Sequence, residues 1–180
     1  MISKLIIIRG NSGSGKTTIA KRLQRELGKG TMLVPQDVLR REIVWVRDGA
    51  NNPSIELIKR TVLYAKEIGY GVILEGILAK KFYGGMIDEL VKEFGNHVLL
   101  YHFDLTFEET LRRHATKPNS HDFGEKEMRE WWNDNDGLGF SSEYVFHAND
   151  SEDDVLAKIV DDFRKLAIIA VSEEYTLAKK

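Results

Sequence analysis

Leu5-Ile6-Ile7-Ile8-Arg9-Gly10-Asn11-Ser12-Gly13-Ser14-Gly15-Lys16-Thr17-Thr18 is the stretch on which the reading of this chain turns. Four consecutive aliphatic residues suit a strand covered on both faces of a parallel sheet, and Arg9-Gly10 ends that run. Gly10 to Thr17 then match G-x-x-x-x-G-K-[ST]. Ile19, Leu23 and Leu27, at four-residue spacing, predict a helix directly afterwards. A glycine-rich turn between a strand and a helix is the context this motif needs. The backbone N–H groups of Gly10, Asn11, Ser12, Gly13, Ser14 and Gly15 can wrap an anion, and the helix adds its positive end. Lys16 then reaches the β- and γ-phosphates, Thr18 is expected among the nucleotide-binding residues, and the Thr17 hydroxyl is placed to ligate Mg²⁺.

Working outward, further apolar runs at Thr31–Val34, Val72–Leu74, His97–Phe103 and Glu143–Phe146 predict four more strands. Helical spacing recurs between them, at Ile55, Ile58, Val62 and Ala65, and at Ile87, Leu90, Val91 and Phe94. Helix starts are expected at Thr106, Asp122 and Ser151, each followed three residues later by a carboxylate. Alternating strands and helices imply right-handed crossovers, so the expected architecture is a three-layer α/β/α sandwich around a five-stranded parallel sheet. Residues 1–180 are expected to form a single domain. Ligands of such sheets bind beyond the carboxyl ends of the strands, here after Ile8, Val34, Leu74 and Phe103.

Composition narrows the chemistry. The 180 residues are 42% hydrophobic and 30% charged, an ordinary globular balance, and contain no Cys, which excludes thiol catalysis, disulfides and Cys-liganded metals. Lys and Arg number 26 against 28 Asp and Glu, so the overall field offers nucleic acid no general attraction and makes it an unlikely partner. The short apolar run after Met1 is expected to be neither a signal segment nor a membrane span, and a cytoplasmic location is expected. The five histidines lack metal-ligand spacing. A dinucleotide site is disfavoured because Lys16-Thr17-Thr18 stands where G-x-G-x-x-G would place its third glycine. Asp134-Asn135-Asp136-Gly137 spells the DxxG of a nucleotide switch but follows a helical stretch rather than a strand, and is expected to be a loop.

With the phosphate loop upstream, Val34-Pro35-Gln36-Asp37-Val38-Leu39-Arg40-Arg41 resembles the small-molecule P-loop kinases. The resemblance implies a P-loop NTPase fold of the nucleoside-monophosphate-kinase-like kind, with ATP and Mg²⁺ as cofactors and a small-molecule hydroxyl as acceptor. It implies Asp37 as general base and Arg40 beside it at the acceptor; the plainer reading is that Asp37 caps a helix beginning at Val38. Leu74-Glu75-Gly76 resembles the zeta-toxin kinases, implying acceptor binding by Glu75, while Mg²⁺ coordination through water and a surface carboxylate are the competing readings. Asp104 to Pro118 is similar to the lid region of shikimate- and gluconate-type kinases. That likeness implies Arg113 near the adenine, Lys117 as the lid cation, and a lid around residues 112–125, with Arg112 as the alternative to Arg113. Chloramphenicol phosphotransferase and the polynucleotide kinases share the pattern, so a polynucleotide 5′-hydroxyl is one alternative acceptor. A regulatory nucleotide-binding protein without an acceptor is another. Trp131 and Trp132 are read as packing or as part of an acceptor wall. Oligomeric state is not legible in the sequence.

Overall fold

The computed structural model describes residues 3–116 and 123–177. Strands β1 (Leu5–Gly10), β2 (Thr31–Pro35), β3 (Gly71–Gly76), β4 (Val98–Phe103) and β5 (Glu143–Phe146) form one sheet in the order β2-β3-β1-β4-β5, every pair parallel. Helices α1 (Lys16–Leu27) and α7 (Glu152–Leu177) cover one face; α3 (Pro53–Glu67) and α4 (Lys80–Phe94) cover the other. This is the expected three-layer α/β/α sandwich with a five-stranded parallel sheet. Among the described residues no helix is long and apolar enough to cross a membrane.

The aliphatic run of β1 serves both layers, which is why it shows no alternation of apolar with polar. Leu5 and Ile7 pack beneath α3 and α4 with Val34, Ile58, Leu74 and Leu90, whereas Ile6 and Ile8 pack beneath α1 and α7 with Ile19, Leu23 and Ile159. Local signals place the helix starts. Asn52 caps α3 by accepting the Ser54 N–H at 3.1 Å, with Pro53 at the first helical position. Thr106 caps α5 (Phe107–Ala115) by accepting the Glu109 N–H at 3.3 Å. Two expectations shift. The helix after the expected lid, α6 (Glu125–Glu130), starts from Gly124, whose N–H donates to the Glu127 carboxylate at 2.9 Å, and the expected cap Asp122 lies outside the described residues. His97 belongs to a short 3₁₀ turn, Gly95–His97, ahead of β4.

The run at Leu5–Ile8 does not stop at Arg9. β1 continues through Gly10, pairing Arg9 with Gly76 on one side and His102 on the other, and the Arg9 side chain is fully buried. Its guanidinium pairs with Asp136 and, at 3.1 Å, with Glu143, and it donates to the Leu78 carbonyl at 3.4 Å. Asp136 also accepts the Lys80 N–H at 3.1 Å. The Asp134–Gly137 segment is therefore a loop, as expected, and one whose second aspartate is anchored to the central strand. Arg9→Ala is expected to cost about 3 kcal/mol or more, because Asp136 and Glu143 lose their counter-charge in a buried setting. Urea unfolding followed by circular dichroism measures it; a loss within the range of an exposed pair, about 1 kcal/mol or less, would contradict the buried-pair assignment.

Candidate active site

The chain between β1 and α1 turns sharply enough to present its amides only because glycines sit where side chains cannot. A Cβ on Gly13 (φ +84°) would meet the Thr110 carbonyl oxygen at 2.5 Å, and one on Gly10 would meet that of Phe103 at the same distance. The loop is thus pressed against α5 and β4. Asn11 fastens it from the side, donating to the Asn133 carbonyl at 2.9 Å and accepting the Asn133 N–H at 3.0 Å. Lys16 is buried and lies back along the loop, its Nζ donating to the Asn11 carbonyl at 2.7 Å and the Ser14 hydroxyl at 3.1 Å.

Beyond the strand ends opens a cleft of about 1080 Å³, lined by Ser12, Gly13, Gly15, Lys16, Thr17 and Thr18 on one side and by Asp37, Arg40 and Glu75 on another. Gly10, Asn11, Ser14 and Arg113 do not line it; they build and brace the loop from behind. Asp37 does not cap a helix starting at Val38. The short helix α2 (Gln36–Val38) begins two residues earlier, its N-cap is Pro35, and Asp37 sits in the first turn with its half-exposed carboxylate accepting from Arg40 Nη2 at 2.8 Å. Arg40 is the second residue of the π-helical turn Leu39–Ile43 that continues α2, and its Nη1 donates to the Val46 carbonyl at 3.3 Å.

Glu75 is 4% exposed, which removes the surface reading. Its two carboxylate oxygens accept from the Thr17 hydroxyl at 3.2 and 3.1 Å, so the strand-end acid and the metal-ligand candidate of the loop meet directly. Burial pushes the Glu75 carboxyl above its ordinary range, against the opposing pull of Lys16 and of the Thr17 hydrogen bond. The oxygen-only pair Thr17 and Glu75 suits Mg²⁺, which takes one or two side-chain oxygens and fills its octahedron with phosphate and water. The described residues contain no group of three or more His, Cys, Asp or Glu that could cage a metal.

Arg113 lies on the far side of the loop. It donates to the Ser14 carbonyl at 3.3 Å and the Ala148 carbonyl at 3.1 Å, joining the phosphate loop to the turn after β5. Glu109 holds Arg113 at 2.6 Å and Arg112 at 2.7 Å, and hydrogen bonds from Arg112 and then Arg113 hold the Glu109 carboxyl down at about 2. Lys117 lies outside the described residues, as does the rest of 117–122 within the expected lid. The two tryptophans part company. Trp132 packs edge-on to Phe107 at 5.2 Å, whereas Trp131 packs on Phe123 at 5.1 Å and both of these line the cleft.

Residues 5–132 match the model of the AAA domain family AAA_33. The chain belongs to that family. No curated protein sequence matches it. Solved structures share its architecture at low identity. A gluconokinase from Sinorhizobium meliloti 1021 aligns with a TM-score of 0.62 at 14% identity, covering 97% of this chain and 98% of its own. The APS kinase of Mycobacterium tuberculosis, in complex with AMPPNP and APS, aligns with a TM-score of 0.66 at 16% identity, covering 88% and 96%. The tunicamycin resistance protein of Deinococcus radiodurans aligns with a TM-score of 0.60 at 16% identity, covering 89% and 95%. At such identities the likeness is one of fold, and the fold of this AAA_33 member is that of the P-loop small-molecule kinases.

Sequence reasoning missed a buried polar network under the cleft. Gln36, fully buried, donates to the Tyr83 hydroxyl at 2.9 Å and accepts the Leu78 N–H at 3.2 Å, while the Tyr83 hydroxyl donates to Asp48 at 2.7 Å. A glutamine between Pro35 and an acid was its only local sign. For Glu75 the raised pKa has a consequence for stability. A carboxyl that ionises less readily folded than unfolded penalises the folded state as pH rises through its folded pKa, and the penalty is absent below the unfolded value. Glu75→Gln is therefore expected to raise the Tm of the ligand-free protein at pH 7, with the gain shrinking toward acid pH; an unchanged Tm difference from pH 4 to pH 8 would contradict it.

Proposed function

We propose that this protein is a kinase that moves the γ-phosphoryl group of ATP, with Mg²⁺, to a hydroxyl of a small-molecule acceptor. The observation that carries this reading is that Asp37 and the phosphate loop face one cleft, with Thr17 and Glu75 in contact inside it. The loop amides from Ser12 to Thr18 would hold the phosphates, and Lys16 would turn from Asn11 and Ser14 to the β/γ oxygens. Thr17 would ligate Mg²⁺ directly and Glu75 through water; this assignment is preferred to acceptor binding by Glu75 because of the Thr17 contact. The chemistry the ion supplies when bound is neutralisation of charge on the β- and γ-phosphoryl oxygens.

Asp37 is assigned the acceptor hydroxyl's proton as that oxygen approaches phosphorus, with Arg40 holding the carboxylate in place at 2.8 Å. Arg113, between the carbonyls of Ser14 and Ala148, lies on the side assigned to the nucleotide base. Lys117 is assigned to the lid of residues 112–125 within a single domain. The named activities of the gluconokinase and the APS kinase are consistent with a hydroxyl acceptor for this chain as well. A regulatory switch protein is disfavoured because Asp136, the second acid of the DxxG spelling, is committed to Arg9.

Lys16→Ala is expected to abolish transfer with the far-ultraviolet circular dichroism unchanged, and full turnover in that variant would remove the phosphate-loop assignment. Asp37→Asn is expected to lower kcat by about 10²–10⁴ with the KM for ATP nearly constant. A loss of stability without a loss of kcat would instead assign Asp37 to the α2 turn alone.

A further inference from the structure

The turn that carries Asp37 has little apolar surface to hold it. Among the described residues of α2 and the π-helical turn Leu39–Ile43 only Gln36 is buried, and Leu39 packs on the core in part. A helix of three residues cannot fix itself, because closing one turn costs more conformational entropy than its few hydrogen bonds offset. The position of Asp37 therefore depends on how its neighbour Gln36 is held. Gln36 lies across the last residue of β3: a Cβ on Gly76 would meet the Gln36 Cβ at 2.6 Å, so the glycine after Glu75 makes room for it.

The bonds of Gln36 run in one direction only. The Leu78 N–H can only donate, so it takes Oε1 of Gln36 as its acceptor at 3.2 Å and leaves Nε2 to face the Tyr83 hydroxyl at 2.9 Å. That hydroxyl, having accepted, places its own proton on Asp48 at 2.7 Å. Burial, and then the bond to Asp48, raise the Tyr83 pKa above its ordinary range, which keeps the donated proton in place at neutral pH. Asp48 also accepts Nε2 of Gln36 at 3.3 Å and the Gly49 N–H at 3.0 Å. Leu78 itself is buried at φ +47°, a left-handed conformation that strains a leucine, and is held there by Gln36 on its N–H and by Arg9 on its carbonyl at 3.4 Å. One chain of oriented bonds thus joins the β3–α4 turn, α4 and the loop before α3 to the residue beside Asp37.

Resting on the kinase reading, we propose that Gln36, Tyr83 and Asp48 are positioning residues for phosphoryl transfer: the Tyr83 hydroxyl, anchored on Asp48, locks the Gln36 amide, and the locked amide holds the Asp37 carboxylate where it receives the acceptor proton. A network that served folding alone would leave turnover of the folded enzyme untouched. An apolar filler of the same shape would serve folding nearly as well, since a buried polar chain gains little over one.

Tyr83→Phe is the test, because it keeps the ring that packs in the core and removes only the oxygen. ATP turnover with Mg²⁺ is measured with water as the sole acceptor and again with a mixture of sugars, sugar acids and nucleosides. The variant is expected to lose about tenfold or more in kcat, while its KM for ATP and its Kd for AMPPNP stay within about twofold. In an Asp37→Asn background the same substitution is expected to change kcat by less than about twofold, since a residue that acts through Asp37 has nothing left to act on. Asp48→Ala, at the exposed end of the chain of bonds, is expected to reproduce both results. Amide hydrogen exchange over residues 36–43 is expected to quicken in Tyr83→Phe while that of β1 does not. Unchanged kcat with a lowered Tm, a loss of kcat equally large with and without Asp37, or unaltered exchange over residues 36–43 would each overturn the proposal alone. Failure of AMPPNP to bind, or wild-type turnover no faster than that of Lys16→Ala, would bring down the kinase reading and this proposal together.

Discussion

The buried guanidinium of Arg9 sits at the hinge between framework and site. It is the penultimate residue of the central strand, and its bonds run to Asp136 and Glu143, so the end of β1 and the loop leading into β5 are locked together just below the phosphate loop. One residue beyond that strand, Asn11 makes a second tie to the same segment through Asn133. The turn that follows carries no apolar side chain to bury, so its shape comes from these two ties and from the close approach of Gly13 to the Thr110 carbonyl. A loop meant to offer N–H groups to an anion cannot satisfy them internally, and a neighbouring framework has to hold it open.

Charge is distributed unevenly over the cleft, and the unevenness follows burial. At the loop end, Glu75 is nearly sealed from solvent and meets a hydroxyl and the field of Lys16, which leaves it costly to ionise in the ligand-free protein. Arg41, Arg47 and Lys81, which also line the cleft, are exposed, where a charge costs little to keep. Asp37 is held by Arg40 on a short helical turn whose root, Gln36, is bolted to Tyr83 and the Leu78 backbone. An acid on a loop of its own would lack that support.

Much of the framework was legible because local chemistry and global need coincide along β1 and α1. A continuous aliphatic run, a glycine-rich turn and a four-residue apolar spacing each constrain neighbouring residues only, and the sheet order places that turn at the end of the middle strand. Asp37 was legible as a candidate, but the alternative that it caps a helix from Val38 does not hold, because Gln36 enters the helix through a tertiary contact that no local pattern displays. Arg9 was taken as the end of a strand for the same reason: a charge inside an apolar run looks like a boundary until its counter-charges, far along the chain, come beside it.

The amino-acid order alone determined the fold class, the phosphate cradle and the candidate acid after β2, since each depends on residues close together in the chain. Only the tertiary structure decided that Glu75 touches Thr17 and that Arg113 bridges Ser14 and Ala148. Those pairings join separate elements across the carboxyl edge of the sheet, and their distances follow from packing, in which the free energy of burying two apolar faces outweighs any local preference.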